Sequence, residues 1–204
     1  MKLYIRKGII ARYLFLKYNL CMNINDTKQQ LLLLLKEKSF FREKITLSSG
    51  KSSDYYIDVR KVSLSPAGVY YISHLVWDII KDDNPDAIGG PTLGADPIVS
   101  GVCFLAHENN RKIKGFLIRK TPKKHGRQKL IEGEEILPGD ETVIVDDVAT
   151  SGSSFVKTIE VLRQEKIKVL RAIAVVDRQD GAAEALARLN CPFTSLFTKS
   201  DFIE

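Results

Sequence analysis

The chain has 204 residues, 44% of them hydrophobic, which predicts one α/β domain with a substantial core. Its apolar runs, such as residues 31–35, are too short to span a membrane, and it contains no repeats or low-complexity linkers. The net charge of +6 arises mainly from the first 22 residues, which carry five basic and no acidic side chains. Because the remainder is nearly neutral, a general nucleic-acid-binding surface is not expected.

The N-terminal segment differs in character from the rest of the chain. Basic residues interrupt its apolar runs, so it lacks the apolar core of about 7–15 residues that a secretory signal needs. We expect residues 1–21 to be a non-essential extension, with a mitochondrial-type presequence as the alternative, and residues 22–204 to form a single domain. The cysteines, Cys21, Cys103 and Cys191, show no metal-binding spacing and suit a reducing cytoplasm.

Periodic patterns predict the first elements of the domain. Asp26 or Thr27 is predicted to cap a helix that contains the leucine run and ends near Lys38. Apolar and polar side chains alternate over residues 45–59, which predicts two strands joined by a Ser/Gly turn. Pro66 then begins a second amphipathic helix.

Two further strands are each followed by a distinctive loop. Residues 86–97 predict a strand, a tight glycine-rich loop and a helix, and glycine there lets the backbone approach a ligand closely. A strand at 114–118 leads into residues 119–134, which are rich in Lys and Arg, and Pro122 and Gly126 predict a mobile loop. Such a charge run is usually a solvated surface. Here the charge run follows a strand that should lie beside the strand that begins at residue 143.

The most informative stretch is residues 143–154, VIVDDVATSGSS. Its apolar start predicts a short buried strand that ends at Asp146 and Asp147. A hydroxyl-rich loop around Gly152 follows, and helical spacing begins at Phe155. Free N–H groups in the first turn of a helix, together with small residues, favour phosphate binding. The carboxylates would then face sugar hydroxyls or Mg²⁺ further along the ligand.

Other phosphate-binding motifs do not match this stretch. The lysine of a Walker P-loop is absent, and so is the G-x-G-x-x-G pattern of dinucleotide-binding folds. The less specific alternative is a strand end with two solvated acids and a capped helix. The complete pattern in this order makes that alternative the weaker one.

The last third predicts another strand of a parallel sheet at residues 169–176, apolar on both faces. Arg178 follows its carboxyl end, which is where open α/β sheets bind ligands. An arginine there can form a bidentate pair with a ligand carboxylate, or an ion pair with Asp177 or Asp180. A short helix and a last strand are predicted at residues 182–189 and 193–197.

The central motif closely resembles the phosphoribosyl-pyrophosphate (PRPP) motif of type I phosphoribosyltransferases. "TLSSGKSSDYYIDVR" resembles the N-terminal strand pair of orotate phosphoribosyltransferases, and Arg-Lys-x-x-Lys-x-His-Gly from Arg119 matches their catalytic loop. The resemblance covers about residues 26–200. It implies a central, mostly parallel five-stranded sheet flanked by helices, with a small N-terminal hood at about 26–62 and a core at about 63–204.

The resemblance also implies an activity. The family transfers the ribose 5-phosphate of PRPP to orotate, giving orotidine 5′-monophosphate and pyrophosphate in pyrimidine biosynthesis. Mg²⁺ is the implied cofactor, bound mainly through PRPP. The implied assembly is a homodimer with shared active sites, in the cytoplasm, with no nucleic-acid or membrane partner.

Site residues follow from the resemblance position by position. The implied catalytic residues are Lys123, His125, Asp146 and Asp147. The implied PRPP-binding residues are Arg119, Lys120, Lys123, His125, Asp146, Asp147, Val148, Ala149, Thr150, Ser151, Gly152, Ser153 and Ser154. Thr150 and Arg178 are implied to contact orotate, and Tyr55 and Tyr56 either cover the pyrimidine or are ordinary strand residues. Gly94 and Ser48 depart from the pattern, because members of the family carry lysine there.

Two other functions are open at this point. The central motif alone would also fit a phosphoribosyltransferase for a purine base, but the strand-pair and loop motifs argue against it. A PRPP-sensing regulator that binds RNA or DNA is a different class. It would need a basic face or an added helix-turn-helix, which the nearly neutral body does not offer.

Overall fold

The computed structural model describes residues 23–43, 45–46, 52–121 and 130–203. The predicted extension at residues 1–21 lies outside these ranges, as do Ser48, Lys123 and His125, so what was expected of them stays a prediction. Within the described part, no helix is both long and apolar enough to cross a membrane.

Helices and strands alternate along most of the chain, as an α/β fold requires. The helices are α1 Ile24–Lys38, α2 Arg60–Ser63, α3 Pro66–Ile80, α4 Ala95–Glu108, α5 Ser153–Gln164 and α6 Ala182–Ala187, with a 3₁₀ helix at Lys199–Asp201. The strands are β1 Phe40–Phe41, β2 Ile45–Thr46, β3 Ser52–Ser53, β4 Tyr56–Ile57, β5 Ala87–Pro91, β6 Lys114–Ile118, β7 Ile131–Gly133, β8 Glu141–Ala149, β9 Lys168–Asp177 and β10 Phe193–Thr198.

The central sheet has the strand order β10-β9-β8-β5-β6-β7. The first five of these strands are parallel, which confirms the predicted mostly parallel sheet. The prediction that β6 lies beside β8 was wrong, because β5 pairs with both of them and separates them. β7 adds a sixth, antiparallel strand at the edge, which the sequence reading placed inside a loop. It is only three residues long and carries no apolar run, so its pairing with β6 left no periodic signal.

Helices cover both faces of this sheet, and alternate residues of the central strands point to opposite sides. Val143 and Val145 of β8 join the apolar cluster formed with α1, α3 and α4. Ile144 joins the second cluster, with Phe155 and Ile159 of α5. The apolar run that opens the central motif is therefore buried on both sides of the sheet. The acids that follow it lie toward the carboxyl end of β8.

The helix starts were predicted with mixed success. Ser65 caps α3 by accepting a hydrogen bond of 3.1 Å from the Gly68 N–H, with Pro66 in the first turn as expected. The prediction for α1 was wrong, because the cap is Asn23, whose side chain accepts from the Asn25 N–H at 2.9 Å. An Asn at this position satisfies a free N–H of the first turn as well as Asp or Thr does.

The segment between α1 and α2 forms two small antiparallel pairs instead of one predicted hairpin. β2 pairs with β3, and β1 pairs with β4 so that Phe40 lies opposite Ile57 and Phe41 opposite Tyr56. Each pair is a separate two-stranded sheet with strands of two residues. This segment packs beside the carboxyl end of the central sheet.

Candidate active site

An open cavity of about 780 Å³ lies at the carboxyl end of the central sheet. The loops after β5, β6, β8 and β9 meet there with the segment around β4, as expected for ligand sites in α/β sheets. Every predicted site residue that the structure describes lines this cavity: Arg119, Lys120, Asp146, Asp147, Val148, Ala149, Thr150, Ser151, Gly152, Ser153, Ser154 and Arg178.

Two adjacent carboxylates of β8 occupy the floor of the cavity. The strand was predicted to end at these acids, but it continues to Ala149. Asp146 is 7% exposed, and its Oδ1 accepts a 2.9 Å hydrogen bond from the Asp147 N–H. Asp147 Oδ1 accepts a 2.8 Å bond from the Val148 N–H. Burial raises the pKa of Asp146 well above its usual range, and the neighbouring Asp147 raises it further. Burial also raises the pKa of Asp147, opposed by its hydrogen bonds and by the charge of Arg60.

Gly94 lies directly against this acidic pair. A Cβ added at Gly94 would overlap carboxylate oxygens of both Asp146 and Asp147. A lysine at this position, as in other members of the resembled family, would therefore force both carboxylates to move. Glycine at position 94 therefore leaves free the space that the two carboxylates occupy.

The loop after the acids leads into the N-terminus of α5. Gly152 is in the left-handed region with φ 76°, which favours glycine, and Ser153 and Ser154 form the exposed first turn. A Cβ at Gly152 would lie 3.1 Å from the Ala182 backbone, so this loop packs closely on the start of α6. The free N–H groups of the first turn and the hydroxyl side chains face one cavity, as an anion site needs.

Arg178 lies on another side of the cavity, just after β9. Its backbone N–H donates to the Ala149 carbonyl at 2.8 Å, which joins it to the loop after β8. Its side chain is buried, with Nε 3.5 Å from Asp180 Oδ2. Asp177, the other carboxylate considered for an ion pair, instead accepts a 2.8 Å bond from the Gln179 N–H.

Of the two tyrosines that the sequence analysis named, Tyr56 lines the cavity and Tyr55 does not, and the sequence analysis missed Asp58 and Arg60, which also line it. Tyr56, Asp58 and Arg60 alternate with the buried Ile57 and Val59. Arg60 Nε donates to Asp58 Oδ1 at 2.8 Å, and the guanidinium raises the local positive potential beside Asp147. The signal was present, since alternation that buries one set of residues points the other set to the opposite side.

The cavity thus carries separate regions of charge. It is lined by buried carboxylates, by a helix N-terminus and by a group of cations formed by Arg60, Arg119 and Lys120. A ligand that fits has anionic groups at two ends and hydroxyls or developing positive charge between them. A sugar that carries a phosphate at one end and a pyrophosphate at the other has this form.

Comparison with known proteins agrees with this geometry. A family model described as phosphoribosyl transferase domain matches residues 64–191. The orotate phosphoribosyltransferase of Rhodopseudomonas palustris (strain BisB5) is 36% identical over 185 residues, covering 89% of this chain and 99% of the relative. That of Aquifex aeolicus is 40% identical over 157 residues, covering 77% and 85%. The chain belongs to the orotate phosphoribosyltransferase family.

A solved structure of the family supports the same assignment. Mycobacterium tuberculosis orotate phosphoribosyltransferase in complex with PRPP superimposes with a TM-score of 0.72 at 31% identity, covering 86% of this chain and 98% of that one. As an orotate phosphoribosyltransferase, the chain is a pentosyltransferase that transfers the ribose 5-phosphate of PRPP to orotate and releases pyrophosphate. This decides against the purine-base enzyme and the nucleic-acid-binding regulator that the central motif alone left open.

Proposed function

We propose that the chain performs this transfer with Mg²⁺, as a cytoplasmic homodimer, and with a separate role for each side of the cavity. The observation that carries the assignment of roles is that one cavity is lined by the buried acids, a helix N-terminus and a group of cations. The free thiols of Cys103 and Cys191 support a reducing compartment.

The 5′-phosphate of PRPP is assigned to the loop after β8 and the start of α5. Backbone N–H groups at the helix N-terminus and the side chains of Thr150, Ser151, Ser153 and Ser154 supply the donors. Gly152 allows the tight turn that brings these groups together. The positive end of the helix dipole adds to the attraction.

The acidic pair is assigned to the ribose. Carboxylates of Asp146 and Asp147 can accept hydrogen bonds from the two ribose hydroxyls, and their charge favours the positive charge that develops on the ribosyl carbon. Because burial raises both pKa values, the pair gains from hydroxyl donors and cations that arrive with the substrate.

The departing pyrophosphate is assigned to the cationic side. Arg119 and Lys120 line the cavity, and the charge of Lys120 lowers the pKa of Asp146. Lys123 and His125, outside the described residues, are proposed to act on the same leaving group from the loop that follows. Their positive charges would offset the negative charge that builds up as the bond to pyrophosphate breaks.

Orotate is assigned to the side formed by Arg178 and Thr150. A guanidinium matches the geometry of a carboxylate and can bind it through two parallel hydrogen bonds. Arg178 is buried yet lines the cavity, so its charge is available to a ligand from one direction only. That arrangement favours a pyrimidine with a carboxylate over one without.

The donors in the cavity fit Mg²⁺. No group of three or more His, Cys, Asp or Glu that could hold a metal occurs among the described residues. Mg²⁺ commonly uses one or two protein carboxylates together with substrate oxygens, and Asp146 and Asp147 would be those carboxylates. When bound, the ion would offset the charge of the pyrophosphate group.

The reaction can be tested directly by mixing the full chain with PRPP, orotate and Mg²⁺ and separating the products by chromatography. We expect equimolar orotidine 5′-monophosphate and pyrophosphate, and no product when adenine or hypoxanthine replaces orotate. Treatment with EDTA should abolish turnover, and excess Mg²⁺ should restore it. Full activity in EDTA would overturn the metal proposal without affecting the substrate assignment.

The dimer has structural support in exposed apolar side chains. Leu64, Leu93 and Phe104, in and beside the packed helices α3 and α4, are 62–73% exposed. We propose that a second subunit covers these side chains, since a contiguous apolar patch commonly marks a protein–protein interface. We expect light scattering to give twice the chain mass, and Phe104→Asp to shift the protein toward the monomer.

Shared active sites predict rescue between inactive subunits. In a hybrid of Lys123→Ala and Asp147→Asn subunits, both defects fall in one site and the other site is intact, so up to half of the wild-type activity per dimer should return. A hybrid of Asp147→Asn and Arg178→Ala subunits is the control, since both residues serve the same subunit and each site keeps one defect. No rescue in the first hybrid would mean that each loop serves its own subunit.

A further inference from the structure

The two adjacent tyrosines near β4 have different surroundings. Tyr56 lines the cavity, whereas Tyr55 does not. The ring of Tyr55 instead lies under the guanidinium of Arg178, with 4.7 Å between Arg178 Cζ and the ring centroid. Tyr55 therefore contacts the residue assigned to the orotate carboxylate without facing the space that orotate would fill.

A stack of aromatic rings holds Tyr55 in this position. Its ring stacks on Phe40 of β1 with centroids 5.9 Å apart, and Phe40 stacks on Phe202 near the C-terminus at 5.8 Å. Phe202 in turn meets the edge of Phe197 in β10 at 6.4 Å. This aromatic column connects the small N-terminal strands with the edge of the central sheet and ends on the guanidinium.

A ring face is well suited to hold a cation that must still bind a carboxylate. The side chain of Arg178 is 5% exposed, and a buried guanidinium needs nearby negative potential. The face of an aromatic ring supplies such potential without accepting the hydrogen bonds that the guanidinium donates in its own plane. A carboxylate in the place of Tyr55 would take up some of those donors, whereas the face of the ring takes up none of them.

We propose that Tyr55 is a positioning residue that orients the Arg178 guanidinium and so sets the affinity and selectivity for a pyrimidine carboxylate. This inference rests on the role proposed above for Arg178. It assigns to Tyr55 no contact with either substrate. The effect of altering Tyr55 should therefore appear in the KM for orotate and not in the KM for PRPP.

The first test compares Tyr55→Leu with Tyr55→Phe, which keeps the ring. We expect Tyr55→Leu to raise the KM for orotate about tenfold, within the range of a partly desolvated cation–π contact. The KM for PRPP should stay unchanged, and Tyr55→Phe should stay within about threefold of wild type because the ring face remains. An equal rise in both KM values would overturn the proposal.

A double-mutant cycle separates this inference from the proposed function. In an Arg178→Ala background, Tyr55→Leu should have no further effect on the KM for orotate, because its action passes through the guanidinium. If Arg178→Ala itself leaves that KM unchanged, the role proposed for Arg178 is wrong. If Arg178→Ala raises it and Tyr55→Leu does not, only the role of Tyr55 is wrong.

A graded series covers the case in which Tyr55→Leu does not fold. Phenylalanines with one, two and three ring fluorines at position 55 keep the shape of the ring and progressively weaken its negative face. The KM for orotate should rise with each fluorine while the melting temperature stays nearly constant. A flat series would show that the ring acts by shape alone and would overturn the electrostatic role.

Discussion

The two ends of the central sheet are both rich in charge, but they use it in opposite ways. At the amino end of the strands, charges are paired near the surface, as in Lys114 Nζ to Asp140 Oδ2 at 2.7 Å and Lys168 Nζ to Glu141 Oε1 at 3.3 Å. At the carboxyl end, Asp146 and Asp147 are adjacent like charges that the fold buries.

The pKa directions express this difference. The hydrogen bond from Lys114 lowers the pKa of Asp140, so that carboxylate stabilises the folded chain when it is ionised. Burial raises the pKa of Asp146, so ionisation there destabilises the fold. The acids cited at the amino end have cationic partners within the protein, whereas the two acids at the carboxyl end gain donors and positive charge from a ligand. Matched substitutions should therefore lower activity at the carboxyl end and lower stability at the amino end.

The largest effect should come from the acids. Asp147→Asn should lower kcat/KM by about 10²–10³, the usual loss when one group that stabilises transition-state charge is removed. Asp140→Asn, the same chemical change at the other end, should leave kcat/KM within about twofold of wild type, since Asp140 lies away from the cavity. Steady-state kinetics with both substrates would measure this, and near wild-type activity of Asp147→Asn would remove its assigned role.

Arginines at the two ends give a second matched pair. Arg178→Ala should raise the KM for orotate by about 10- to 100-fold, as expected for loss of a charge-assisted bond to a carboxylate. Arg171 lies near the amino end of β9, and its Nη2 donates to Asp83 Oδ1 at 2.9 Å, so we expect its role to be structural. Arg171→Ala should lower the melting temperature and leave both KM values unchanged. Equal changes in the KM values for orotate and PRPP in Arg178→Ala would instead indicate a structural ion pair with Asp180.

The smallest effect concerns stability and its dependence on pH. At pH 7, Asp146→Asn should raise the melting temperature by about 2–4 °C, and Asp140→Asn should lower it by a similar or smaller amount. The gain in Asp146→Asn should be absent below about pH 3.9 and grow as pH rises toward the raised pKa of the folded state. The loss in Asp140→Asn should be present above about pH 3.9 and vanish as pH falls through the lowered pKa.

Calorimetry of the two variants and the wild type between pH 3 and 8 would measure both trends. High salt is a useful control, because it should shrink the effect at Asp140, whose side chain is 16% exposed, more than that at the buried Asp146. Melting temperatures that move in the same direction in both variants would contradict the division between the two ends.

The strongly periodic parts of the chain were predictable. Apolar runs located β8 and β9. The order of acids, hydroxyls and glycine over the end of β8 and the loop after it located the cavity, because parallel strands bring their carboxyl ends to one edge. Contacts between distant segments left no such signal. The aromatic column joins Phe40, Tyr55 and Phe202, and Gly94 meets Asp147, through packing that depends on the finished fold. The pairing of β1 with β4 escaped prediction for the same reason, since strands of two residues have no period.

The close packing of Gly152 on α6 has a consequence for how this sequence can vary. Any larger residue at 152 must displace the backbone of Ala182 or the side chain of Ala185. Ala182 follows Arg178 by one short turn, so the displacement would reach the other substrate's side of the cavity. Because the nearest atoms belong to the Ala182 backbone and Gly152 has φ 76°, side-chain changes at Ala182 or Ala185 would not make room for a larger residue. A library that randomises position 152 should therefore recover almost only glycine.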